Sequence, residues 1–334
     1  MTEPTCPKRM HYGPCGGVRE DGSCEMADHP CPFTVLDAPP PWTGSPPPLR
    51  PPHELPSDGN ASVVLTDLSV PAYDPAAVAE LVDVLAPTCD AVLVGEHQSR
   101  PDLPPTLMAA LIKERGVRPW ITLTCRDRNR VVLEQELHGL AALGDVAVLC
   151  ATGDGRAPGV RDEVTQVFDI DGTRLAGMAA HAGLRVGVPE APDAPPRHLR
   201  PGRLLAKQEA GAQVAVLNHV NSVERLAAFV AQARAAGVRL PFVAGVAVYT
   251  DERSAAVLQR FPGLHLDAQR VAHVLDATDP VAAGCAEAVR EARAALAVEG
   301  VVGVNLSGPA TARGERAGAQ IKAAVGAELR RDMP

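Results

Sequence analysis

Aromatic side chains are scarce: Phe, Tyr and Trp together make up 3% of the 334 residues. A core must then be filled by Ala, Val and Leu, and the 46% apolar share is large enough to do it. No apolar stretch approaches the roughly 20 residues of a membrane span. There is no Lys/Arg run and the net charge is −8, which argues on electrostatic grounds against a nucleic-acid binder. The opening MTEPTCPKRMHYG has no apolar segment, so no signal peptide is expected and the chain reads as cytoplasmic. A Gly-x-Gly-x-x-Gly turn after an early strand is also missing, which weakens a dinucleotide-binding open sheet.

Cysteine, by contrast, is concentrated. Of eight cysteines, Cys6, Cys15, Cys24 and Cys31 fall in the first 31 residues, spaced Cys-x8-Cys-x8-Cys-x6-Cys. In a reducing compartment such a cluster points to metal or redox chemistry rather than to disulfides. The spacing is neither that of a zinc ribbon nor that of a compact bacterial ferredoxin. Zn²⁺ or a 4Fe–4S cluster would each accept four thiolates, and the residues leave both open. A segment of this size with few apolar residues needs such a centre to fold. His11 and His29 read as bystanders. Cys89, Cys125, Cys150 and Cys285 have no partner base, so a cysteine nucleophile is not expected.

Three regions follow: a cysteine-rich metal-binding leader at 1–36, a proline-rich linker at 37–60, and a main body at 61–334. The linker contains PPPWTGSPPPLRPPHELP, which favours extended chain. In the main body, eight short aliphatic runs alternate with helical patterns: SVVLT, DAVLVG, PWITLT, DVAVLC, LRVGV, QVAVL, PFVAGV and VVGVNL. Runs apolar throughout suit strands buried on both faces. Eight of them, each followed by a helix, predict an α/β fold, a (β/α)8 TIM barrel, with a doubly wound open sheet as the alternative. The long gap between the seventh and eighth runs predicts extra helices, and residues 309–330 read as a final amphipathic helix.

Reactive groups of such a barrel sit at the C-terminal ends of the strands. There the sequence places Asp67 after the first run, Glu96 and His97 after the second, TCRDRNR after the third, ATGDGRAPG after the fourth, and Asn218 and His219 after the sixth. Each has a plainer reading: a cap, a charged helix start, a turn.

LTCRDRNR, ALGDVAVLCATGD, VFDID and LLAKQEAGAQVAVLN, in this order, resemble the methylenetetrahydrofolate reductase family over about residues 62–310. The leader CPKRMHYGPCGG…GSCEM…CPF resembles the C-terminal-type iron–sulfur or zinc module associated with some of these reductases. The resemblance implies hydride transfer to 5,10-methylenetetrahydrofolate, giving 5-methyltetrahydrofolate, in the part of one-carbon metabolism that supplies methionine. It implies FAD, with NAD(P)H or a reduced electron-carrier protein as donor. A folate is the implied substrate, and a homo-oligomer is compatible with it. Asp67 stands where the family has a catalytic glutamate, and Asp154 matches the carboxylate beside flavin and folate. Thr122, Thr124, Thr152, Gly153, Asp154 and Lys207 match cofactor-binding positions. Asn218 replaces a folate-contacting glutamine, so the substrate set is Asp154 and Asn218. Thr152 stands in place of an arginine, and Arg200, Arg203 and Ala206 differ from the usual flavin contacts. The rival reading is a folate-binding barrel subunit, non-catalytic or of altered specificity, with a structural metal site.

Overall fold

The computed structural model describes residues 5–48, 62–261 and 264–332. Eight parallel strands close into a barrel in sequence order: β1 Val63–Leu68, β2 Ala91–Val94, β3 Arg118–Thr124, β4 Ala147–Ala151, β5 Arg185–Glu190, β6 Val214–Leu217, β7 Phe242–Tyr249 and β8 Val301–Ala310. The ring closes through β1 and β8, with Val63 opposite Gly303 and Leu65 opposite Asn305.

Both faces of the strands are buried, which is why the runs read as unbroken apolar stretches. Val63, Leu65, Leu93, Trp120, Leu149, Val214, Val216 and Val243 pack together inside the barrel. The alternate residues, such as Val64, Val92, Ile121, Val148 and Val186, pack outward in the core shared with the helices. Trp120 is fully buried within this cluster; a Cβ on Gly187 would stand 2.7 Å from its ring.

The helices form the outer ring: α1 Pro75–Leu85, α2 Pro105–Glu114, α3 Arg130–Leu143, α4 Gly172–Ala182, α5 Arg200–Glu209 and α6 Val223–Ala235. They continue with α7 Glu252–Gln259, α8 Ala268–Leu275, α9 Pro280–Leu296 and α10 Glu315–Asp332. Asp74, Asn129, Asp171, Ser222, Asp251, Asp267 and Asp279 each cap a helix N-terminus through the side chain. The extra helices expected before the eighth strand are α7 to α9. The last helix starts at Glu315 rather than at 309, because β8 runs on to Ala310 alongside the long β7, pairing Ala310 with Tyr249.

The leader folds as a series of turns with one antiparallel bridge, Ser23 to Pro30. It lies against the barrel: the His11 and Tyr12 amides donate to Asp171, and Arg200 donates to the carbonyls of Pro14 and Cys15. The chain that follows crosses α4 and α5 where glycines leave room. A Cβ on Gly202 would meet Pro39 at 2.9 Å, and one on Gly177 would meet the Trp42 ring at 3.1 Å. The expected proline-rich linker continues into residues 49–60, which lie outside the described residues. Among the described residues, no helix is long and apolar enough to cross a membrane.

Candidate functional site

A cavity of about 860 Å³ opens at the C-terminal mouth of the barrel. Thr122, Thr124, Thr152, Gly153, Asp154 and Asn218 all line it, as do Glu96 and Arg126. The strand period of two explains part of this. Trp120, Thr122 and Thr124 share the inward parity of β3, and Asn218 continues that of Val214 and Val216.

The loop after β4 is built for close approach. Gly153 has φ +90°, and a Cβ there would stand 2.9 Å from the Cβ of Thr124. Thr152 Oγ1 accepts from the Gly172 amide at 2.9 Å, tying the loop to the start of α4. The Gly153 carbonyl accepts from Lys8 Nζ at 2.7 Å. Asp154 follows. Burial raises its carboxyl above the ordinary value, while the nearby Lys8 charge opposes the rise.

Glu96 terminates the neighbouring wall. It accepts from the Thr124 amide at 3.2 Å and from Thr124 Oγ1 at 2.6 Å, and it pairs with Arg128. Arg126, buried, donates to Asp127 and to the His97 carbonyl, each at 2.9 Å. Asn129 caps α3. The TCRDRNR block therefore fixes the rim through ion pairs and a cap together.

Asp67 is not on the wall of this cavity. Its Oδ1 accepts from Asn305 Nδ2 at 2.9 Å, and Asn305 in turn donates to Ser307 at 2.8 Å. Burial pushes the Asp67 carboxyl up, with Lys322 opposing. Lys322 donates to the Asp67 and Gly308 carbonyls, and burial lowers its own value to about 8.

Lys207 also turns away from the cavity. Its ammonium sits 2.8 Å from Glu190 Oε2, beside the Pro189 carbonyl. Arg203 reaches the same oxygen at 2.8 Å, and Arg200 lies 3.5 Å from Oε1. Burial would raise Glu190, but Arg203, Lys207 and Arg200 override it and hold the carboxyl far below its usual range. Burial, with Arg203 beside it, lowers Lys207.

The leader supplies part of the cavity wall through Lys8, Cys15 and Gly16. Lys8 is 2% exposed and pairs with Glu25, whose other oxygen accepts weakly from the Gly155 amide at 3.4 Å. Cys15 donates to Glu25 at 3.1 Å, and burial pushes its thiol up to about 12. Cys6, Cys15, Cys24 and Cys31 line one small pocket together. Among the described residues, no three His, Cys, Asp or Glu side chains are grouped as they would be around one metal ion.

Sequence reasoning missed Glu190, Lys8 and Glu25 as parts of the site. Glu190 ends β5, which was a usable signal. Lys8 and Glu25 carried none, because their position depends on how the leader docks.

A family model described as methylenetetrahydrofolate reductase matches residues 77–308, and one described as methylene-tetrahydrofolate reductase C terminal matches residues 2–38. No curated protein matches. Among solved structures, a protein from Clostridium thermocellum described as binding two copies of 5-methyl-5,6,7,8-tetrahydrofolic acid superposes with TM-score 0.58 at 11% identity, covering 81% of this chain and 96% of its own. Tryptophan synthase from M. tuberculosis gives TM-score 0.45 at 15% identity, over 81% of this chain and 94% of its own. The first of these likenesses concerns the barrel fold alone.

Proposed function

We propose, from the premise that the chain belongs to the methylenetetrahydrofolate reductase family, that the cavity at the barrel mouth binds 5,10-methylenetetrahydrofolate and reduces it to 5-methyltetrahydrofolate. The observation that carries this reading is the convergence of Asp154, Thr122, Thr124, Thr152 and Asn218 on one cavity. The ligand named for the C. thermocellum structure supports the same substrate class.

The reaction adds a hydride to the methylene carbon and a proton to N10, whose bond to that carbon breaks. The ring opens to an iminium cation before the hydride arrives. A carboxylate beside the cation stabilises it, and Asp154 is our candidate for that position. A protonated acid must also be available near neutral pH. Asp67 is our candidate, since burial favours its neutral form. Asp67 lies off the cavity wall, with Asn305 and Ser307 as its polar neighbours.

The positions implied for FAD divide: Thr122, Thr124, Thr152, Gly153 and Asp154 line the cavity, whereas Lys207 turns to Glu190. Of the α5 cations, Lys207 is held by Glu190 and Arg200 by leader carbonyls, while Arg203, on the cavity wall, pairs with Glu190 through Nη1 and keeps a buried Nε without a partner. No step is assigned to flavin, and the hydride is assigned to a nicotinamide donor. The four leader thiols share one small pocket, and by their chemistry Cys6, Cys15, Cys24 and Cys31 are the candidate ligands of a thiophilic centre, zinc or an iron–sulfur cluster, although they are not grouped around one point in this structure. When bound, it would hold the leader or, if it is a cluster, carry electrons.

The test is product analysis on full-length protein purified without oxygen, with metal content measured on the same sample. Methylenetetrahydrofolate with NADH or NADPH should yield 5-methyltetrahydrofolate. Asp154→Asn should lower kcat about 100-fold or more while thermal unfolding stays unchanged. Asp67→Asn should abolish the alkaline limb of the pH–rate profile, where a general acid loses its proton. Folate binding without turnover under any donor would overturn the reductase reading and leave a folate-binding subunit.

A further inference from the structure

Beside the main cavity, a second one of about 390 Å³ opens between the loops that follow β2 and β3. The two share Gly95, Glu96, His97, Thr122 and Arg126 as walls, so a ligand in one can extend into the other. Five arginines line the second cavity, and their pairing is uneven. Glu96 answers Arg128. Asp127 serves two guanidiniums at once, Arg126 at 2.9 Å and Arg156 at 2.7 Å. Arg161 pairs with Glu163 at 3.2 Å. Arg100 meets no carboxylate among the described residues; it donates to the Val70 carbonyl and contacts His97 Nε2 at 3.4 Å. The remaining wall carboxylates are engaged elsewhere, Asp102 by the Leu103 amide and Glu136 by Thr106.

Arg156 is the sharper feature. Its side chain is 7% exposed. Nε donates to the Gln98 carbonyl at 3.2 Å and Nη2 faces Asp127, but the buried Nη1 has no partner. A buried guanidinium N–H without an acceptor is costly, and an incoming oxoanion would satisfy it. The planar fork of arginine suits carboxylate and phosphate oxygens.

We infer that this annexe is an anion subsite that receives the carboxylates of a folate's glutamyl tail while the pterin end occupies the main cavity. The inference rests on the folate reading above. A folate is elongated, with its charge at the end remote from the pterin, and the two joined cavities divide in the same way. The phosphates of a nicotinamide donor offer the same chemistry, so the test separates the two sources.

The experiment measures dissociation constants by calorimetry on the full chain for tetrahydropteroate, its monoglutamate, its triglutamate and NADPH. The glutamylated forms should bind at least about tenfold more tightly than the pteroate. Arg156→Met and Arg100→Met should each remove most of that difference and leave pteroate affinity unchanged. Loss of Arg156 also breaks a buried ion pair, so unfolding midpoints are measured alongside; Arg100→Met carries the test if R156M melts early. Equal affinity for pteroate and glutamates, or variants that weaken both alike, overturns the subsite. Variants that weaken NADPH alone assign the annexe to the donor and overturn the folate assignment. If pteroate and its glutamates all fail to bind, the folate reading falls and this inference with it, an outcome distinct from a bound pteroate that gains nothing from its tail.

Discussion

Glu190 organises more of the molecule than any residue singled out from the sequence. Its side chain is fully buried, and three cations converge on it. Truncating one partner of such a cluster leaves charge buried without compensation. Glu190→Gln should therefore cost about 3–5 kcal/mol in denaturant unfolding, and leader contacts through Arg200 should loosen with it. The pH dependence has a definite sign. The folded-state carboxyl sits far below the 4.5 of an ordinary glutamate. Its contribution is thus complete above pH 4.5 and lost as the pH falls towards the folded value. Stability curves of wild type and Glu190→Gln should converge on acidification; a constant gap between them would contradict this account.

At the scale of elements, helix positions without side chains hold in place the strap formed by the described part of the proline-rich linker, residues 37–48. Gly202 lies in α5, and a Cβ there would sit 2.9 Å from Pro39 Cγ and Cδ. A proline ring cannot bend aside as a flexible side chain can, so Gly202→Val should lift the strap while α5 keeps its own hydrogen bonds. We expect faster proteolysis of the leader and a barrel unfolding midpoint within a few degrees of wild type. Equal proteolysis rates would show that Pro39 does not bear on α5 in solution. The same logic explains why the barrel strands were so legible. Each is buried on two faces, so composition alone marks it, whereas the junction of β8 and α10 depends on how far β7 offers partners.

For the whole molecule, the leader is part of the barrel's mouth. Lys8, Cys15 and Gly16 line the main cavity, and Lys8 and Glu25 tie the leader to the loop that carries Asp154. If the four thiols hold a metal, its removal should act on the site from outside the barrel. Cys24→Ser, or treatment with a chelator, should release the leader and weaken folate binding at least about tenfold, with far-ultraviolet circular dichroism nearly unchanged. Unchanged folate affinity after demonstrated metal loss would confine the leader to a peripheral role.

The sequence by itself determined the eightfold alternation and the strand ends that carry the polar residues, and it favoured a closed barrel over an open sheet. Periodicity and apolar runs are local properties, and a strand buried on both faces writes them directly into composition. It also brought Thr122, Thr124, Thr152, Gly153, Asp154 and Asn218 to one cavity, because strand ends and parity follow from position in the chain. Tertiary structure decided the rest. It set Asp67 on Asn305, off the cavity wall, and turned Lys207 towards Glu190. It placed Lys8, from the far end of the chain, against Gly153. These outcomes depend on contacts between residues distant in sequence, where competition among several buried charges for one partner leaves no local pattern to read.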